Sequence, residues 1–110
     1  MTGSEFVVVL VTAGDAEEAA HIGRTLVDER LAACVNVVGP IRSIYRWQGA
    51  VEDAAEHLLL VKGRAIDVAA IETRVRALHS YGLPEVVALP VVAGSAPYLA
   101  WLGDATARAR

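Results

Sequence analysis

Two long β-rich arms meeting at one turn constrain this chain more than anything else in it. The first arm is Ala33-Cys34-Val35-Asn36-Val37-Val38, interrupted by Gly39-Pro40 and continued by Ile41-Arg42-Ser43-Ile44-Tyr45-Arg46-Trp47. Gln48-Gly49 carries the turn signal. The return arm runs from Ala50 to Lys62, polar near the turn at Glu52, Asp53 and Glu56 and apolar over Leu58-Leu59-Leu60-Val61. Each arm has roughly a dozen residues or more, against about 5–6 in an ordinary strand. Such a hairpin must project past the sheet of a small domain. A projecting two-stranded ribbon is barely stable alone in water, and Tyr45 and Trp47 near its tip are costly to leave wet. Pro40 within the first arm implies a bulge or an edge position, because proline cannot donate to a ladder.

The flanking segments supply the remaining elements. Phe6 to Thr12 is apolar and β-branched without alternation, the pattern of a strand buried on both faces. Gly14-Asp15 breaks it. Asp15 with Glu18 three residues later forms a capping box, and the apolar stripe Ile22, Gly23, Leu26 and Val27 predicts a helix from about Ala16 to Glu29 or Arg30. Val68, Ile71, Val75 and Leu78 predict a second helix from Ala65 to His79, ended by Gly82 and Pro84. Val86 to Val92 reads as a strand with Pro90 at an edge or bulge. Ser95 as N-cap and Pro97 in the first turn open a last helix, whose apolar side is Tyr98, Leu99, Trp101 and Leu102. The order β-α-β-β-α-β plus a helix predicts a ferredoxin-like α+β sandwich with an extra C-terminal helix, one domain over residues 1–110.

In that arrangement two helices cover one sheet face and leave the other open, yet these strands are apolar on both. Of the 110 residues, 55% are hydrophobic, and mean hydropathy is +0.42. A domain this small cannot hide so much apolar surface alone, so further copies of the chain are expected to cover it. No run is long enough to span a membrane, and Met1-Thr2-Gly3-Ser4-Glu5 lacks the basic region of a signal peptide. The expected location is cytoplasmic. With net charge −3 and ten scattered basic residues, a nucleic-acid partner is not expected. Arg108-Ala109-Arg110 reads as a solvated tail.

Catalytic signatures are missing from the sequence: there is no P-loop, dinucleotide fingerprint, nucleophile elbow or zinc-type cysteine pair. Cys34 is the one cysteine and reads as a small buried hydrophobe. His79 follows the second helix beside Tyr81 and Glu85, where it either binds a metal or small anion or answers the helix dipole. His21 and His57 read as surface or packing residues. Glu56 and Lys62 sit on one strand, where a solvated or cross-strand charge pair is the simplest role. Tyr45 and Trp47 suit a subunit contact better than ligand stacking.

Several segments in order carry a family likeness: Val9-Leu10-Val11-Thr12-Ala13, Leu31-Ala32-Ala33-Cys34-Val35-Asn36, Ser43-Ile44-Tyr45-Arg46-Trp47-Gln48-Gly49, Glu56 through Lys62, His79-Ser80-Tyr81-Gly82-Leu83-Pro84-Glu85, and Tyr98-Leu99-Ala100-Trp101-Leu102. Together, over about residues 6 to 102, they resemble the CutA family of divalent-cation tolerance proteins. The resemblance implies a PII-like homotrimer, with sheets inside, helices outside and hairpins joining sheets between subunits. It implies a non-catalytic role in the response to metal ions such as copper, with no required cofactor. The copper donors of some members are only partly kept. The cysteine of the first strand is Val11 here, and the first of two adjacent histidines is Leu78, leaving His79. The tight copper site is therefore not expected. A weaker copper or zinc site using His79 and Glu85, in an inter-subunit cleft with Tyr81 and Lys62, is the expectation, with Tyr45 and Trp47 at the trimer contact. The competing readings are a PII-like regulatory module for an anionic metabolite or protein partner, and a small cofactor-independent enzyme. The enzyme would need a poised base, for which only His79 and Glu85 offer themselves.

Overall fold

A computed structural model describes residues 5–108. The elements are β1 (Phe6–Ala13), α1 (Ala16–Asp28), β2 (Cys34–Trp47), β3 (Ala50–Arg64), α2 (Val68–Leu78, entered through one 3-10 turn at Ala65–Asp67), β4 (Val87–Pro90) and α3 (Ala96–Ala105). The four strands form one antiparallel sheet in the order β2-β3-β1-β4. This is the ferredoxin-like sandwich with an added helix that the element order predicts.

Local chemistry sets the boundaries. Asp15 caps α1 by accepting the Glu18 N–H at 2.8 Å. Ser95 caps α3, with proline in its first turn. The hairpin turn has positive φ at both Gln48 (50°) and Gly49 (82°). That two-residue geometry matches the twist of the flanking strands, and glycine adopts it without strain. Between Val38↔Leu58 and Ile41↔Glu56, β2 advances three residues while β3 advances two, so Gly39-Pro40 forms the expected bulge. Several predicted ends move. β4 stops at Pro90, whose missing N–H cannot continue the ladder, although Val91 still donates one bond to Phe6 O. α2 ends at Leu78, because His79 is extended (φ −86°, ψ 143°).

Alternation divides the sheet. Val7, Val9, Val11 and Ala13 of β1 face the helices and pack with Leu59 and Val61 against Ala19, Ile22 and Leu26 of α1 and Ile71 and Val75 of α2. Val27, expected in the α1 stripe, is exposed instead. The opposite face carries Val8, Leu10 and Thr12 of β1, Leu58, Leu60 and Lys62 of β3, Cys34, Asn36 and Val38 of β2, and Val87 and Leu89 of β4, matched by register. α3 meets this face at the Phe6 and Arg64 end, while Val87 and Leu89 are half exposed. Cys34 lies on this face, only partly buried rather than in the core, with Sγ 3.8 Å from Asn36 Oδ1.

β1 pairs with β3 only from Phe6↔Arg64 to Ala13↔His57. Residues 41–56 therefore continue as a two-stranded ribbon, and the molecule extends to 43 × 26 × 22 Å. Arg42 clamps the ribbon by gripping both carboxylate oxygens of Asp53, at 2.7–3.2 Å. Arg108 is not a free tail residue. It pairs with the buried Asp67 at 2.7 Å and donates to Arg30 O, tying the chain end to the start of α2 and the end of α1. Arg110 lies outside the described residues. No helix among them is long and apolar enough to cross a membrane.

Candidate functional site

The loop from α2 to β4 wraps the C-terminal end of β1 and lies beside the root of the ribbon. Its side chains and those of the ribbon enclose a groove of about 660 Å³, lined by Thr12, Ser43, Ile44, Tyr45, Trp47, Glu56 and residues 81–85. Strand alternation explains the ribbon side. Ser43, Tyr45 and Trp47 pair with Ala54, Glu52 and Ala50 and lie on the same face as Glu56. That face continues the uncovered side of the sheet through Thr12 and Leu58.

His79 anchors the loop, and its side chain is fully buried. Its Nδ1 accepts the Tyr81 backbone N–H at 3.0 Å, so the ring proton sits on Nε2, which donates to Thr12 O at 2.7 Å. Both ring nitrogens are thereby in use. Neither keeps a lone pair for a metal unless the loop lets go of β1. Glu18 is the partner that sequence reading missed as a site residue. Its carboxylate accepts Ser80 N–H at 2.7 Å and Gly14 N–H at 3.4 Å, joining α1, β1 and the loop. Burial works to raise the Glu18 carboxyl. The Ser80 backbone and side chain, the neighbouring His79 and the Gly14 N–H outweigh it and hold the group below its ordinary range. The capping-box spacing marked Glu18 for the helix start, and nothing local could reveal its partner 62 positions away.

Glu56 is 6% exposed and accepts the Tyr81 hydroxyl at 2.9 Å. Burial, this hydrogen bond and the charges of Glu56, Tyr45 and Glu18 push the Tyr81 phenol up to about 12. Glu85, on the groove rim, is raised by burial and then by the charge of Glu56. The structure thus brings Tyr45, Trp47, Glu56, Tyr81 and Glu85 to one groove. It does not bring Lys62 there within a chain. Lys62 lies six residues along β3 from Glu56, on the same face, bonded to Asn36 Oδ1. The charge pair expected of Glu56 and Lys62 does not form among the described residues. His21 is exposed, and the ring of His57 packs over Gly39 with Nδ1 buried and unbonded. Among the described residues no group of three or more His, Cys, Asp or Glu side chains could hold a metal ion.

This is a ferredoxin-like α+β domain extended by a hairpin, with an acidic, aromatic groove at the hairpin root. Residues 7–105 match the CutA1 divalent ion tolerance protein family, and the chain belongs to that family. The divalent-cation tolerance protein CutA of Thermus thermophilus is 50% identical over 99 residues, covering 90% of this chain and 96% of that protein. Its solved structure superposes with a TM-score of 0.86 over 88% of this chain and 94% of that one. The structure of the periplasmic divalent cation tolerance protein CutA from Archaeoglobus fulgidus is 35% identical, with a TM-score of 0.90 over 93% and 99% of the two chains. The chloroplastic CutA of Arabidopsis thaliana is 42% identical over 91% of this chain, which spans 55% of that protein's length. Neither the regulatory module nor the enzyme finds support in these likenesses.

Proposed function

We propose that this divalent-cation tolerance protein works as a PII-like homotrimer in the cytoplasm, without catalysis, and binds a divalent cation such as copper or zinc, or a small ligand, in clefts between subunits. The observation that carries the reading is the uncovered sheet face. Val8, Leu10, Leu58, Leu60, Val87 and Leu89 form one apolar surface that runs into a ribbon exposing Tyr45 and Trp47. Two further copies would remove it from water, and apolar burial is the main driving force of association. A divalent ion would need donors from two subunits, since His79 is engaged and Val11 and Leu78 offer none. The absence of catalysis is supported by the same ring, because both its nitrogens are committed to the backbone.

Light scattering on the purified chain at micromolar concentration tests the assembly, and a stable monomer would overturn it. Calorimetric titration with Cu(II) and Zn(II) tests the cleft, using wild type and His79→Ala. Equal binding by the two proteins would remove His79 from the site.

A further inference from the structure

The groove at the hairpin root carries negative charge that nothing within it balances. Glu56 is almost wholly buried. Among the described residues its only hydrogen bond is the one from Tyr81 to Oε2, and it forms no ion pair. Burying a carboxylate without a cation is strongly unfavourable. The second carboxylate of the groove, Glu85, adds to the deficit, and the two acids repel one another. The remaining walls are rings: Tyr45, Trp47 and Tyr81 line the same space.

Size and chemistry select the kind of partner. A cavity of about 660 Å³ fits a small organic ligand and is far larger than a bare ion needs. Against two carboxylates a hard divalent cation would keep most of its shell as water and leave the three rings without a role. Aromatic faces, by contrast, attract ammonium and guanidinium groups, and a carboxylate accepts their N–H donors.

We propose that this groove binds a small organic cation, an amine or guanidinium group, with Glu56 and Glu85 as counter-charges and Tyr45, Trp47 and Tyr81 as walls. The inference rests on the cleft in the proposed function but not on a metal in it. The cationic group has two sources: a free small molecule, which is the proposal, or a lysine or arginine side chain of a second copy.

The test is calorimetric titration of the full chain with spermidine and with agmatine, in wild type, Glu56→Gln and Glu85→Gln. Light scattering on each protein and a separate Zn(II) titration accompany it. The expected result is saturable binding of at least one amine, weakened about tenfold or more in each variant, with the assembly unchanged and magnesium at equal charge failing to compete. Glu85→Gln changes an exposed side chain, so it keeps the test usable if Glu56→Gln misfolds. No saturable binding in wild type, or equal binding in all three proteins, overturns the proposal. If no amine binds and Glu56→Gln dissociates the assembly, the cation belongs to a second copy and the small-ligand reading falls. A trimer that binds Zn(II) but no amine sinks this inference alone. A monomer that binds amine sinks the trimer instead.

Discussion

The Tyr81 hydroxyl donates to Oε2 of Glu56 across 2.9 Å, joining the α2–β4 loop to the root of the hairpin. Tyr81→Phe would leave a buried carboxylate without that donor. The expected loss is about 1–3 kcal/mol of stability, measured by urea denaturation. In a double-mutant cycle with Glu56→Gln, the two losses should be less than additive, and strict additivity would mean the pair is not coupled.

The same contact predicts a pH response. The folded-state phenol is raised from its usual 10 to about 12. The protonated form is therefore the one the fold favours, and this contribution is complete below pH 10 and disappears as pH rises through about 12. The tyrosinate absorbance lost on going from wild type to Tyr81→Phe should titrate near 12. A difference signal centred at 10 would contradict the contact.

Glu18 predicts the opposite limb. Its carboxyl is held below 4.5 in the folded chain, so its contribution is present above that pH and lost as pH falls through the lower folded value. Glu18→Gln should cost about 1.5 kcal/mol or more at neutral pH and flatten the acid limb of the stability profile below pH 4.5. Faster amide exchange at Ser80 in the variant would locate the loss at the loop.

Gly39 is required by the side chain opposite it. A Cβ at this position would collide with the ring of His57. Gly39→Ala should destabilise by about 1–3 kcal/mol, the usual scale of overpacking. Adding His57→Ala should recover part of the loss, because the obstruction is the ring and not the backbone. Thermal melts of the single and double variants decide it.

Val87 sits on the uncovered face opposite Leu10 and is half exposed. Val87→Glu should leave far-UV circular dichroism unchanged and shift the scattering mass to that of one chain. An unaltered mass would show that this face is not the contact between copies.

Much of the fold was legible in the sequence because its determinants are local. Helical spacing placed Ile71 and Val75 on a buried face, Asp15 and Ser95 stood at helix starts, and Gln48-Gly49 marked the hairpin turn. The partial burial of Cys34 is not legible there, because an apolar run does not say which face of a sheet a helix will cover. The role of Arg108 is hidden for a similar reason: its partner Asp67 is 41 positions away.

The sequence by itself determined the elements, their order and the projecting hairpin, since periodicity, caps and turn residues act within a few positions of chain. It also supplied the residue types of the groove. Only the tertiary structure decided their roles. Folding consumed both nitrogens of His79, assigned Glu18 to Ser80, separated Lys62 from the groove and set Glu56 there beneath the Tyr81 hydroxyl. Those outcomes depend on which distant backbone group or strand face arrives beside each side chain, and no local spacing records it.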